Sequence, residues 1–324
     1  MSIRASLVRL VMRLVMRLTV KRQIHKENGL EPAALRLAID KRARRGGWPE
    51  GGKVEEVSAN GVKAFWVDAE NADPNRVFYY LHGGGYILGA PDTTHKDLLW
   101  RLSKASGARV LAIDYRLAPE APFPAAVDDA IAAYNWLLEQ GYRSEAIAIG
   151  GDSAGGGLTF GTLLRMRDER IPLPSCAVGL SPWTDLAGTG ETVITNLQSD
   201  LIIPGDRLVE IGEHYLQGQD PELPYASPLY GNHVGLPPTL IQVGEPEVLL
   251  DDSRRLAAKL KRAGVPVALE IWKGMPHVFP GLARFMPEGK RAIEIIGTFV
   301  QGHLADEADP ALIADLRGEA AAAE

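Results

Sequence analysis

The sequence predicts an α/β fold, a mostly parallel central sheet with helices on both faces. Three observations predict it. Beyond residue 76, short apolar runs of strand length alternate with longer stretches of helical period, the rhythm of strand–helix–strand units. One of these units is spelled out by residues 146–158, where an apolar run meets a glycine-lined turn and then a helical pattern. The length of 324 residues is enough for one large domain of this class or two ordinary ones.

Residues 1–22 carry Arg4, Arg9, Arg13, Arg17, Lys21 and Arg22 within an otherwise apolar stretch. Leu7, Val8, Val11, Leu14, Val15 and Leu18 share one helical face. No apolar run reaches the roughly 18–20 residues that span a bilayer, and a secretory core is also missing. The expectation is a helix packed on the body of the protein. Peripheral contact with an anionic membrane is the less favoured reading. A second helix is expected over Glu31–Arg44, stopped by Gly46-Gly47-Trp48-Pro49. Strands then follow at Val54–Ser58 and Lys63–Asp68, flanking the hairpin pair Asn60-Gly61, and at Arg76–Leu81.

Further along, helices are expected near Thr93–Gly107, Ala125–Gln140, Ser253–Ala263 and Glu288–Leu304. Between them lie strands at Arg109–Asp114, Ala146–Ile149, Ala177–Leu180, Thr239–Val243 and Val267–Trp272. Residues 184–236 break this rhythm and are expected to leave the sheet. Residues 305–324, with four alanines near the end, read as an exposed tail.

Composition narrows the function. A net charge of −6 gives no reason to expect nucleic acid as a partner. The single cysteine, Cys176, cannot form an internal disulfide and sits in an apolar run, so it reads as a core residue. A cytoplasmic location is expected. No metal-ligand spacing is present, and no cofactor is expected.

The turn at 151–155 reads G-x-S-x-G, with Ser153 at its apex. A serine on a tight strand-to-helix turn projects its hydroxyl clear of the backbone, provided Gly151 and Gly155 carry no side chains. His82-Gly83-Gly84-Gly85 ends the preceding strand. Bare glycines there turn backbone N–H groups toward one point, the arrangement an acyl-transfer oxyanion needs. Gly83, Gly84 and Ala154 are assigned as its donors, with His82 fixing the loop.

Of seven histidines, His277 follows the last strand and is assigned as base; His303 lies late in a helical stretch. The acid belongs in the loop after Thr239–Val243, where Glu245, Glu247, Asp251 and Asp252 compete. Glu247 lies mid-loop and is favoured; helix capping accounts for one of the two aspartates. Tyr86, Trp183 and Phe279 flank these motifs and could line an apolar substrate site, although core packing explains each equally well. Leu14, Leu18 and Leu201 are weaker candidates.

His82-Gly83-Gly84-Gly85-Tyr86, Asp114-Tyr115-Arg116-Leu117-Ala118-Pro119-Glu120, Gly151-Asp152-Ser153-Ala154-Gly155-Gly156 and Ser181-Pro182-Trp183 occur in that order. Together they resemble the hormone-sensitive-lipase family of α/β-hydrolases, mostly microbial carboxylesterases. The resemblance implies an α/β-hydrolase domain over 51–183 and 237–304 and a helical cap from 1–50 and 184–236. It also implies a homodimer and a serine esterase acting on short-to-medium acyl esters.

The family's acid motif is Asp-Pro-Leu-x-Asp. Here Glu247-Val248-Leu249-Leu250-Asp251 takes its place, 30 residues before His277. Glutamate adds one methylene to the arm. Val278 stands where many members have glycine. The Leu-Leu-Asp-Asp run is similar to that of a subgroup with monoterpene lactone hydrolases, which adds a lactone as candidate substrate. An amidase or deacetylase on the same triad is the main alternative. A trypsin-type peptidase conflicts with the order serine, acid, histidine, and a receptor on an inactive hydrolase fold conflicts with the presence of His277.

Overall fold

Eight strands pair into one sheet in the order β1-β2-β4-β3-β5-β6-β7-β8. The computed structural model describes residues 2, 4–6, 8, 31–43 and 46–304. Strands β1 (Gly52–Ala59) and β2 (Val62–Ala69) form the antiparallel hairpin at one edge. Asn60 and Gly61 at its tip both have positive φ, 49° and 87°, as a tight two-residue hairpin turn requires. From β4 (Ala108–Ile113) onward the pairing is parallel, through β3 (Asp73–Leu81), β5 (Ile147–Asp152), β6 (Cys176–Leu180), β7 (Thr239–Gly244) and β8 (Val267–Trp272).

Side chains alternate across this sheet and divide the core into two layers. Val77, Tyr79 and Leu81 of β3 join Ile147 and Ile149 in one layer, with helices α3 (Ala125–Glu139) and α4 (Ala154–Asp168). Phe78, Tyr80 and Ala148 face the other, against α2 (Lys96–Ser106) and α7 (Pro287–Leu304). Cys176 is a buried free thiol in this second layer, where burial pushes it up to about 12 and keeps it unionised.

Residues 184–236 contribute no strand. They hold the helical turn Thr192–Thr195, the 3₁₀ turns Gly205–Arg207 and Pro228–Tyr230, and the helix α5 (Leu208–Leu216). α6 (Leu250–Arg262) follows β7. The first described helix, α1 (Pro32–Ala43), is tied down by Arg36, whose guanidinium donates to Ile87 O at 2.6 Å and Ala118 O at 2.7 Å. Of the N-terminal stretch, Ser2 hydrogen-bonds Glu288, and Ala5 and Val8 pack with Met275, Phe279 and Met286. The rest of that expected helix, Leu14 and Leu18 included, lies outside the described residues, as does the expected tail. No described helix is long and apolar enough to cross a membrane.

Candidate active site

Ser153 occupies the turn between β5 and α4 with φ 55° and ψ −122°, a conformation that costs a non-glycine residue about 1–3 kcal/mol. Three backbone hydrogen bonds hold it there. Ser153 N–H donates to Leu180 O at 2.8 Å, and Trp183 N–H and Gly157 N–H donate to Ser153 O at 2.9 and 3.0 Å. A Cβ on Gly151 would stand 2.3 Å from Gly155 O, and one on Gly155 would stand 2.1 Å from Leu81 O. Both glycines are therefore required by close backbone approach.

His277 lies on the loop after β8, and its Nδ1 meets Glu247 Oε2 at 2.7 Å. Glu247 is fully buried and His277 is 6% exposed. The second carboxylate oxygen, Oε1, accepts the Ser181 hydroxyl at 2.8 Å and the Gly244 N–H. Ser181 Oγ in turn accepts the N–H of Val278 at 3.1 Å, which fixes the residue after the imidazole. Burial works against a charged ring. The adjacent Glu247 carboxylate, with Asp200 and Asp152 further off, outweighs it and holds His277 above the ordinary imidazole value.

The glycine loop is anchored from beneath. Gly83 N–H donates to Asp152 Oδ1 at 3.1 Å and lies 3.3 Å from His95 Nε2. Asp152 also accepts the Tyr80 hydroxyl at 2.9 Å and pairs with His95 Nε2 at 3.1 Å. Gly83 thus spends its N–H inward, which corrects its assignment as an oxyanion donor. Among the described residues, none accepts the N–H groups of Gly84, Gly85 or Ala154. His82 stacks on Tyr115 with ring centroids 4.2 Å apart, and its Nδ1 bonds Gly83 O at 2.8 Å. Burial, with His95 nearby, pushes His82 down to about 3, so it stays neutral.

Ser153, His277, the glycine loop and Asp152 line one cavity of about 340 Å³. Its remaining walls are mostly aliphatic, Leu35, Leu88, Ile202, Ile203, Leu208 and Ile211 among them, with Thr94, His95 and Trp183. No hydrogen bond joins Ser153 to His277 among the described residues; the cavity brings them together.

A family model described as the alpha/beta hydrolase fold matches residues 78–281. The chain is 44% identical over 281 residues to an acetyl-hydrolase of Streptomyces hygroscopicus, covering 86% of this chain and 92% of that one. An esterase of Acinetobacter venetianus is 35% identical over 273 residues, covering 83% and 89%. A crystal structure of an esterase from the bacterial hormone-sensitive lipase family superposes with a TM-score of 0.86 at 42% identity, covering 94% and 99%. This chain belongs to the hormone-sensitive-lipase family of α/β-hydrolases. It is a carboxylic-ester hydrolase.

Within this hydrolase, the sequence-based candidates for the cavity wall divide. Trp183 lines the cavity. Tyr86 does not: it stacks on Tyr215 at 3.9 Å and is core packing. Phe279 is likewise buried against Trp272, Met275 and Met286, away from the cavity. Leu201 is buried, while its neighbours Ile202 and Ile203 form the wall. The other acid candidates have different partners. Asp251 accepts the Thr192 N–H at 3.0 Å, and Asp252 accepts those of Thr184 and Asp185 at 2.7 and 2.9 Å. Glu245 accepts the Gly274 N–H at 3.2 Å.

Sequence reasoning missed the supporting roles of Ser181, His95 and Asp152, although the Ser-Pro-Trp and Gly-Asp-Ser motifs contain two of the three. It also missed the aliphatic residues contributed by 202–211, where no periodic pattern marks a wall.

Proposed function

We propose that this hydrolase cleaves short-chain carboxylic esters by a serine mechanism with an acyl-enzyme intermediate. The observation that carries the reading is the convergence of a strained serine, a carboxylate-paired imidazole and unpartnered amides on one apolar cavity. Ser153 Oγ attacks the ester carbonyl while His277 Nε2 takes its proton. The carbonyl oxygen becomes an oxyanion, held by the N–H groups of Gly84, Gly85 and Ala154 and by the N-terminus of α4. His277 returns the proton to the leaving alkoxide as the C–O bond breaks. Water then gives a proton to His277 and attacks the acyl carbon; as the bond to Ser153 Oγ breaks, His277 returns that proton to Oγ, releasing the carboxylic acid and restoring Ser153.

Glu247 is the acid of this triad. It accepts the Nδ1–H, fixes the tautomer and stabilises the imidazolium. The fold body is assigned to 51–183 and 237–304 and the cap to 1–50 and 184–236, of which the described residues Leu35, Ile202, Ile203, Leu208 and Ile211 line the cavity.

At about 340 Å³ the cavity is near the lower end of ligand sites, which supports short acyl groups. The acetyl-hydrolase relative agrees with that size class. The test is a p-nitrophenyl ester series from acetate to decanoate with wild type and Ser153→Ala, together with a matched anilide and a small lactone. The expected outcome is a pre-steady-state burst, highest kcat/KM at short chains, the ester far above the anilide, and loss of at least about 10³ in kcat for Ser153→Ala. Full activity in Ser153→Ala would remove the mechanism. Equal rates on ester and anilide would make the protein an amidase as well, and the lactone arm reads whether cyclic esters enter.

A further inference from the structure

The loop that carries Glu247 is held chiefly by the cap. Asn196 Nδ2 donates to Glu245 O at 3.1 Å and to Glu247 O at 2.8 Å. The Ser199 hydroxyl donates to Pro246 O at 2.9 Å, and the Thr192 hydroxyl to Val248 O at 2.9 Å. At the centre of this clasp lies Asp200, 2% exposed. Its Oδ2 accepts the Val248 N–H at 2.9 Å, the amide next to Glu247. Its Oδ1 accepts the N–H groups of Ile202 and Ile203 at 2.9 and 3.0 Å. Those two isoleucines wall the substrate cavity. One buried carboxylate thus joins the cavity wall to the loop bearing the triad acid.

We propose that Asp200 is a positioning residue for the esterase reaction, coupling the seating of the cap wall to the orientation of Glu247 and, through it, His277. This rests on the triad assigned above. The backbone supports it independently of charge: three amides converge on Asp200, and its own N–H donates to Asn196 O at 2.9 Å, closing the turn. Charge adds to the effect. Glu247, Asp200 and Asp152 are the acidic groups that act on the His277 ring, and each favours its protonated form. Asp200 therefore helps stabilise the imidazolium that forms as Ser153 attacks.

An alternative confined to folding is distinguishable. Asparagine at 200 keeps the shape but turns an NH₂ donor against one of the amide donors, so one half of the link is lost. The experiment compares wild type, Asp200→Asn, Asp200→Ser, Asn196→Ala and Ser153→Ala on a short-chain aryl ester, as kcat and KM across pH, with thermal melts.

For Asp200→Asn and Asp200→Ser, kcat is expected to fall by about 10-fold to 10²-fold. The acid limb of the kcat profile should move to lower pH, because a negative charge that raised His277 has gone. Asn196→Ala should lower kcat with the limb unmoved, since it loosens the loop and leaves the charge. In a Glu247→Gln background Asp200→Asn should add little further loss.

A lowered melting temperature with wild-type kcat and an unmoved limb would overturn the proposal. So would full additivity with Glu247→Gln. If neither Asp200 variant folds while Asn196→Ala turns over at the wild-type rate, Asp200 serves the fold alone and the proposal is equally lost. Ser153→Ala reports on the underlying mechanism separately: activity surviving there removes the triad, whatever Asp200 does.

Discussion

At the scale of single residues, the proposed triad depends on a hydroxyl that takes no part in the chemistry. Ser181 donates to Glu247 Oε1 and accepts from the Val278 N–H, so it fixes the acid and the base loop together. Both Ser181 (φ 47°) and Val278 (φ 49°) are held in left-handed conformations that disfavour residues with side chains. Ser181→Ala keeps the backbone but leaves one carboxylate oxygen and one amide short of a partner. We expect kcat to fall by about tenfold with little change in KM, and stability to fall by about 1–3 kcal/mol, read from steady-state kinetics and urea melts. Unchanged kcat would mean that Gly244 alone suffices to orient Glu247. The pH profile belongs to this scale too. In the proposed mechanism His277 is neutral when it accepts the Ser153 proton, and its folded value is raised, so kcat should climb with pH with a midpoint above the ordinary 6.5. His82, at about 3, is neutral throughout that range. His95, raised beside Asp152, is the other ring that could shape the limb, and His95→Gln separates the two. A midpoint below 6.5 that His95→Gln leaves in place would contradict the Glu247–His277 pairing.

Among the elements, α5 matters most for substrate choice, because Leu208 and Ile211 reach the cavity from above while Tyr215 stacks on Tyr86 behind the glycine loop. Ile211 is seated on that loop: a Cβ on Gly85 would come within 2.9 Å of its Cγ2. Shortening Ile211 to Ala opens the wall next to the proposed oxyanion site. The ratio of kcat/KM for an octanoyl over an acetyl ester should then rise by about tenfold or more, as a pocket gains room for added methylenes. An unchanged ratio would place the acyl chain elsewhere. How far this was legible from sequence depends on what each residue answers to. The hairpin at Asn60-Gly61, the elbow at Ser153 and the strand Val267–Trp272 are fixed by local backbone demands, and they fall where expected. The choice among four acids was harder, since all share one short stretch. Glu247 meets His277, whereas Asp251 and Asp252 bind amides of the segment beyond Trp183, contacts far apart in sequence. Gly83 failed as a donor for a similar reason: three consecutive glycines look alike until Asp152 and His95 claim the first of them.

For the whole molecule, one fastening of residues 184–236 to the rest of the fold should make stability sensitive to pH. Asp252 is buried at the start of α6 and accepts the N–H groups of Thr184 and Asp185, where the segment assigned to the proposed cap begins. Burial, with the neighbouring Asp185 carboxylate, raises Asp252 from an ordinary 3.8 to about 8, against the opposing pull of the two amides and Arg255. Asp185 is itself lowered, despite its burial, by Thr189, Tyr230 and Arg255, so it keeps its charge. The folded protein therefore holds a proton on Asp252 that the unfolded chain releases above about pH 4. It follows that this group's stabilising effect is fullest at the acid end and declines as pH rises toward 8, beyond which it is gone. The whole decline is on the order of a few kcal/mol. Asp252→Asn retains an oxygen for the two amides and cannot ionise, so its melting temperature should vary less with pH between 5 and 9. At pH 8–9 it should equal or exceed that of wild type, and activity at alkaline pH should survive longer because the cap stays seated. Thermal melts of both proteins across this range decide the matter. Parallel curves would show that Asp252 stays ionised throughout, with its two amides and Arg255 outweighing its burial.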